Sequence, residues 1–161
     1  MLTAPYYQIT ETGSQSLIGT DNQIDQYDYG EAATITLGDG VRPVSGEFLS
    51  FMFYSGESGS GAVQTPSGVL LLFDAPPVIT AGDTAITLAA RISIIGQVPV
   101  SASNWISDAN GASQCVLDKP VPFHNLKKIY AAWYHTDATS LNDAGGDDEY
   151  LAFNAWYRRD S

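Results

Sequence analysis

Hydrophobic and polar residues alternate along two segments near the end of the chain, 127–136 and 149–160. The apolar set on one face of these segments comprises Ile129, Ala131, Trp133, Leu151, Phe153, Ala155 and Tyr157. A period of two is that of a β-strand, because successive side chains of a strand point to opposite faces. The pattern therefore predicts two long strands on either side of a polar loop at 137–147.

The opposite face of both predicted strands is rich in aromatic residues. It carries Tyr130, Tyr134, Tyr150, Trp156 and Arg158, where an exposed strand face usually carries Lys, Glu and Ser. Either a second sheet of the same domain covers this face, or the face is an intermolecular surface, since Tyr, Trp and Arg are enriched at protein interfaces. On the second interpretation these residues, together with Tyr6 and Tyr7 near the N-terminus, form the predicted interface.

Short β-type segments account for most of the remaining chain. Predicted strands lie at 32–37, 46–54, 69–75 and 114–123, the last broken by Pro120 and Pro122. The sequence Gly38-Asp39-Gly40 predicts a β-hairpin turn after the first of them. Segment 84–95 fits a short helix or a strand, and its Thr and Ile content favours the strand.

Eight to ten short strands without a long amphipathic helix predict an all-β fold. The expected architecture is an antiparallel β-sandwich, jelly-roll-like, with a closed barrel as the alternative. Residues 32–161 are predicted to form this sandwich, and the more polar residues 1–31 an N-terminal arm or peripheral strands. A chain of 161 residues is long enough for one domain with its own core.

Charge limits the classes of partner. The chain has 7 Lys and Arg against 18 Asp and Glu, a net charge of −11, which repels phosphate backbones and anionic lipid surfaces. We therefore expect neither nucleic acid nor a membrane as partner. The N-terminus lacks the basic and apolar regions of a signal peptide, and no apolar run approaches the roughly 20 residues of a membrane span, so synthesis in a cytoplasm is expected.

Few residues suit catalysis or metal binding. The single cysteine, Cys115, reads as a buried structural thiol, and His124 and His135 as hydrogen-bonded structural residues. The acidic segment from Asp143 to Glu149 reads as a solvated loop, with an irregular calcium site as the alternative. We expect no cofactor and no enzymatic activity, although a hydrolase with a carboxylate pair is a third hypothesis, because only the spatial separation of the carboxylates would identify it.

The second half of the chain resembles a known family. The segments 69–75, 104–111, 117–126 and 130–160 together are similar to auxiliary head proteins of tailed bacteriophages, which decorate the outside of the capsid. The resemblance implies a β-sandwich body without a cofactor and a homo-oligomer, dimer or trimer, that contacts several copies of the major capsid protein. It also implies a location on the virion after synthesis in the host cytoplasm.

A carbohydrate-binding or host-attachment module on the virion is the alternative function. Exposed aromatic residues stack well on sugar rings, and Trp105 and Trp156 are the residues predicted for this role. The two functions differ in their partner: the decoration protein binds the shell, and the attachment module binds a glycan, with calcium as a common helper.

Overall fold

The computed structural model describes residues 9–19, 22–57, 64–142 and 149–160. Twelve strands form within these ranges: β1 (Ile9–Glu11), β2 (Gln15–Ser16), β3 (Gln23–Ile24), β4 (Ala33–Thr36), β5 (Val44–Glu57), β6 (Gly68–Phe73), β7 (Ile94–Val100), β8 (Ile106–Ser107), β9 (Ser113–Leu126), β10 (Lys128–His135), β11 (Leu141–Asn142) and β12 (Glu149–Arg159). A short helix, α1 (Leu88–Ile92), and one 3-10 turn (Ala102–Asn104) accompany them. The predicted all-β fold and its two long strands are confirmed.

Ten of the twelve strands form two antiparallel sheets with jelly-roll order, and the two-residue strands β3 and β11 pair with each other. The six-stranded sheet has the order β1-β12-β5-β9-β8, with β2 also paired to β12, and the four-stranded sheet has the order β4-β10-β6-β7. Eight strands remain when β1 and β2 are counted as one strand and the two-residue strands β3, β8 and β11 are left out. Numbered one to eight along the chain, they have the order 1-8-3-6 in the six-stranded sheet and 2-7-4-5 in the four-stranded sheet. This is the arrangement of a jelly roll.

The core fills the space between the two sheets. The inward faces predicted for β10 and β12 are buried: all seven apolar side chains, from Ile129 to Tyr157, are at most 1% exposed. Phe53 of β5 is the ladder partner of Phe153 in the six-stranded sheet, and their ring centroids lie 6.1 Å apart. Its ring centroid lies 6.0 Å from that of Trp133 in the four-stranded sheet, so this aromatic contact joins the two sheets.

The N-terminal segment is part of the sandwich rather than an arm. β1 and β2 form an edge of the six-stranded sheet by pairing with β12. Leu17, Ile18 and Ile24 are at most 1% exposed and belong to the main core. Of the two alternatives predicted for residues 1–31, the described part forms peripheral strands and not an arm, because its apolar side chains belong to the core.

The predicted β-hairpin after 32–37 is also wrong. Gly38 and Gly40 adopt φ of +56° and +70°, so the turn itself forms. β4, however, pairs with β10, whereas β5 pairs with β12 and β9. The turn therefore passes the chain from one sheet to the other, and local turn chemistry cannot distinguish that path from a hairpin.

Segment 84–95 contains a helix, although its Thr and Ile content predicts a strand. α1 begins after Thr87, whose Oγ1 accepts a hydrogen bond from Ala90 N at 3.1 Å. The cap and the two alanines of the helix outweigh the β-branched residues around it. β7 starts only at Ile94.

β9 runs through both prolines without the predicted break. It extends from Ser113 to Leu126, and β8 pairs with it only at Gln114 and Ser113. Among the described strands, the rest of that side of β9 is an edge, so Pro120 and Pro122 remove no ladder hydrogen bond there. The prolines also make this edge a poor template for a strand from another chain.

The buried thiol of Cys115 is expected to be unreactive in the folded protein. Its side chain is 1% exposed, and burial raises the pKa of Cys115 to about 11. Ellman's reagent at a pH of about 8 should therefore label it only after unfolding, since the thiolate is the nucleophile. Because an unfolded thiol has a pKa of about 8.5, ionisation should also destabilise the fold as the pH rises from about 8.5 towards 11. Rapid labelling of the native chain would contradict this environment.

Candidate functional site

The structure divides the predicted aromatic surface between two sides of the molecule. Tyr130 and Tyr134 lie on the outer face of the four-stranded sheet, whereas Tyr150, Trp156 and Arg158 lie on the outer face of the six-stranded sheet. The prediction of one aromatic surface shared by both strands is wrong, because β10 and β12 belong to different sheets although only the two-residue strand β11 separates them in sequence. Tyr6 and Tyr7 lie outside the described residues.

The outer face of the four-stranded sheet is covered by its own chain. Segment 74–93 packs against it and forms a second apolar cluster, comprising Leu71, Phe73, Ile86, Ala90 and Ala132, with Tyr29 and Tyr130 against its rim. The rings of Tyr29 and Tyr134 lie 4.9 Å apart. Burial, followed by the nearby Tyr134, raises the pKa of Tyr29. The prediction that another part of the same domain covers the aromatic face is therefore correct for the four-stranded sheet, although a helix and loops cover it and not a second sheet.

The outer face of the six-stranded sheet, which we call the open face, keeps large apolar side chains in solvent. Ile106, Ile9, Val116 and Tyr150 are 79, 60, 57 and 40% exposed. Three of them lie at one end, the Tyr150 end, and Ile9 pairs with Arg158 at the other. Tyr150 and Arg158 are eight residues apart on β12, a distance of about 26 Å along the strand. The open face therefore has two separate ends.

A pocket of about 470 Å³ occupies the Tyr150 end of the open face. Its apolar lining consists of Tyr54, Ile106, Val116 and Tyr150. Its polar rim consists of Asn104, Ser107, Asp108 and Gln114. A volume of this size lies within the range of roughly 300–1,000 Å³ typical of small-molecule sites.

Gly56 determines where the ring of Tyr150 lies. The two residues are direct partners in the β5–β12 ladder. A Cβ atom at Gly56 would approach Tyr150 Oη to 2.6 Å and Cζ to 2.9 Å. The ring thus reaches across β5 over the glycine, where it lines the pocket.

Tyr54 is held by hydrogen bonds outside the pocket. Its hydroxyl donates to Asn154 Oδ1 at 3.1 Å and also hydrogen-bonds the hydroxyl of Ser14. Asn154 Nδ2 in turn donates to Glu11 Oε1 at 2.6 Å. This chain of contacts across β5, β12 and β1 fixes the ring, so the apolar floor of the pocket is preorganised.

The polar rim retains atoms that have no partner among the described residues. Asp108 Oδ1 accepts from the backbone N–H groups of Asn110 and Ala112 at 2.8 and 3.2 Å, which leaves Oδ2 available. Gln114 Nε2 donates to Met52 Sδ at 3.1 Å, and its Oε1 is available. Asn104 Oδ1 accepts from Ser101 N at 2.8 Å, and its Nδ2 is available. Three groups at the pocket can therefore bond a ligand.

The other end of the sandwich, the Lys127 end, collects basic residues. Five of the seven basic residues of the chain lie there: Arg42, Lys127, Lys128, Arg158 and Arg159. Four carboxylates accompany them, those of Asp39, Glu47, Asp74 and Asp160, and Arg158 Nη2 lies 2.6 Å from Glu47 Oε1. This end is thus close to neutral, and the remaining 14 of the 18 acidic residues lie elsewhere in the chain.

Both histidines make hydrogen bonds. His135 is fully buried, accepts from Trp133 Nε1 at Nδ1 over 3.2 Å, and lies with Nε2 2.7 Å from Thr139 O. The exposed His124 lies 3.1 Å from Ser45 Oγ. The structural role predicted for His135 is confirmed, because both ring nitrogens are used in the core.

Two other predicted sites were a sugar-stacking role for Trp105 and a calcium site in the acidic segment 143–149. Trp105 is 8% exposed and donates from Nε1 to Pro66 O at 2.9 Å, so it is part of the core and cannot stack on a sugar. Of the acidic segment 143–149, only Glu149 lies within the described residues. Its carboxylate accepts from Gln64 Nε2 and from Asn142 N. No group of three potential metal ligands occurs among the described residues.

Sequence reasoning missed the residues that line the pocket, apart from Tyr150. Tyr54 lies in a segment that is apolar on both faces, and Ile106 lies in a segment that reads as a turn. Val116 could have been found, because in segment 114–118 it alternates with Cys115 and Leu117 and must face away from them.

Comparison with known proteins assigns the chain to no family. No protein-family model and no curated protein matches the chain. Among solved structures, the K3 cleaved adhesin domain of Lys-gingipain from Porphyromonas gingivalis is similar over 91% of this chain and 73% of that one, at 10% identity and a TM-score of 0.33. None of the described helices is long and apolar enough to cross a membrane.

Proposed function

We propose that this protein is a capsid decoration protein. It forms a homo-oligomer, a dimer or trimer, binds the outside of a bacteriophage head and stabilises the shell across neighbouring copies of the major capsid protein. It is made in the host cytoplasm and becomes part of the virion. A ligand that binds only the assembled shell stabilises that state, and several footprints on one oligomer add through effective concentration.

The observation that supports this proposal is the character of the Lys127 end. In a chain with a net charge of −11, this end is close to neutral, so a second copy or a large shell protein meets the least repulsion there. Trp156 and the 60% exposed Ile9 lie beside it on the open face. An aromatic and aliphatic surface next to basic side chains is the composition of a protein interface.

Charge reversal at this end should weaken binding to heads. We expect the double variant Lys127→Glu and Lys128→Glu to bind expanded heads at least tenfold more weakly in cosedimentation, because both side chains are exposed and both would become acidic. The matched control is Arg91→Glu, which reverses one charge at an exposed position on α1, away from this end, and is compared with Lys127→Glu alone. Equal binding by these two single variants would contradict the placement.

Self-association should be visible without heads. Light scattering coupled to size exclusion is expected to give two or three times the chain mass of 17.2 kDa. Pro120 and Pro122 argue against association by strand addition at the edge of β9. Trp156→Ala tests the open face instead: this variant keeps the oligomer only if Trp156 lies outside the contact. A monomer at all concentrations would contradict the homo-oligomer.

A further inference from the structure

We propose that the pocket at the Tyr150 end binds a neutral saccharide. This site lies about 26 Å along β12 from Arg158, so it is separate from the surface proposed for the shell. On a head bound through the Lys127 end, the pocket would face away from the shell. The inference concerns a different ligand and does not depend on capsid binding.

The pocket combines the two kinds of contact that a pyranose ring requires. One face of such a ring consists of C–H groups, and these pack on the flat side of an aromatic ring, whose π-face is negative. Tyr150, whose ring lies over Gly56, is the exposed aromatic residue of the lining and would supply this contact, and Ile106 and Val116 extend the apolar floor. A purely polar ligand would leave the apolar floor without a packing partner. A purely apolar ligand would bury the polar side chains of the rim without hydrogen-bond partners.

The rim supplies acceptors and a donor for hydroxyl groups. Asp108 Oδ2 and Gln114 Oε1 accept hydrogen bonds, and Asn104 Nδ2 donates them. Asp108 is held by its bonds to Asn110 N and Ala112 N, so its second oxygen has a defined direction. Vicinal hydroxyls, which both donate and accept, match this mixed set better than a carboxylate or a phosphate does.

Charge selects among saccharides. Asp108 is the charged residue among those that line the pocket, and the whole chain carries −11. A uronic or sialic acid would therefore be repelled, whereas a neutral hexose or N-acetylhexosamine would not. The ligand class is thus a neutral pyranose, free or at the end of a glycan.

Titration of the full ¹⁵N-labelled chain with four probes tests this inference by NMR. The probes are galactose, N-acetylglucosamine, glucuronate and glycerol. We expect a neutral pyranose to shift the amide signals of Ile106, Gln114 and Tyr150 with a Kd on the order of 1 mM. Glucuronate should bind more weakly, and glycerol, a polyol without a ring, should leave these signals in place.

Substitutions separate stacking from general surface effects. Tyr150→Ala is expected to weaken binding by about tenfold, and the exposed rim variant Gln114→Ala also weakens it while leaving the core untouched. Tyr27→Ala, which removes a 56% exposed tyrosine outside the pocket, should bind as the parent does. Absence of shifts with both neutral sugars, equal shifts with glycerol, or unchanged binding by Tyr150→Ala and Gln114→Ala would overturn the proposal. Head cosedimentation of the same variants should be unchanged, so the two proposals can fail separately.

Discussion

Replacing Trp133 with alanine is expected to lower the free energy of unfolding by about 3–5 kcal/mol. The side chain is fully buried between the sheets, beside Phe53, and its Nε1 donates to His135 Nδ1. Truncation leaves both a cavity and an unpaired nitrogen in the core. Because domains are stable by only about 5–15 kcal/mol, the variant should be close to unfolding at room temperature.

Urea denaturation of Trp133→Ala and Trp133→Phe measures this loss in two parts. The phenylalanine variant fills much of the volume but leaves His135 Nδ1 without its donor, so we expect it to lose about 1–3 kcal/mol. Gly68 offers no room for compensation by added bulk, since a Cβ atom there would lie 2.5 Å from the backbone oxygen of Tyr134, which both variants retain. A loss below about 1 kcal/mol for the alanine variant would show that the ring is not in the core.

The second large effect is expected at Gly30, which packs against the backbone of the N-terminal segment. A Cβ atom there would lie 1.9 Å from Leu17 O. Neither partner can move freely, because Leu17 N donates to Leu151 O at 2.9 Å and Gly30 N donates to Trp133 O at 2.8 Å. Gly30→Ala should therefore lower the free energy of unfolding by about 3 kcal/mol or more.

Gly13→Ala provides the comparison for Gly30. A Cβ atom at Gly13 would have no neighbour within 4 Å, but the residue has φ of +77°. Alanine there should cost only the backbone strain, about 1–2 kcal/mol. If Gly30→Ala were no worse than Gly13→Ala in thermal or urea denaturation, the close contact between Gly30 and Leu17 would be contradicted.

The sequence predicts the inward faces of the sandwich well, because alternation is a local property of a strand. Trp133 and Phe153 are buried as their patterns require. It does not predict which strands share a sheet. β10 and β12 have the same pattern and are separated only by the two-residue strand β11. Tyr130 and Tyr150 nevertheless lie on opposite outer faces, because long-range packing determines which strands pair.

The same limit explains the candidate site. The pocket forms where a corner after Trp105 brings Ile106 beside Gln114, and no sequence period connects these residues with Tyr150. Trp105 has the composition of a stacking residue but donates a hydrogen bond inside the core. Which aromatic residues remain exposed depends on what covers each sheet, and segment 74–93 covers only one of them.

Electron cryomicroscopy of expanded phage heads incubated with this chain tests the central claim most directly. The account predicts added density at fixed positions on the outside of the shell, with the Lys127 end towards the major capsid protein and the Tyr150 end towards solvent. Heads that show no added density at saturating protein, or density with the Tyr150 end against the shell, would contradict it.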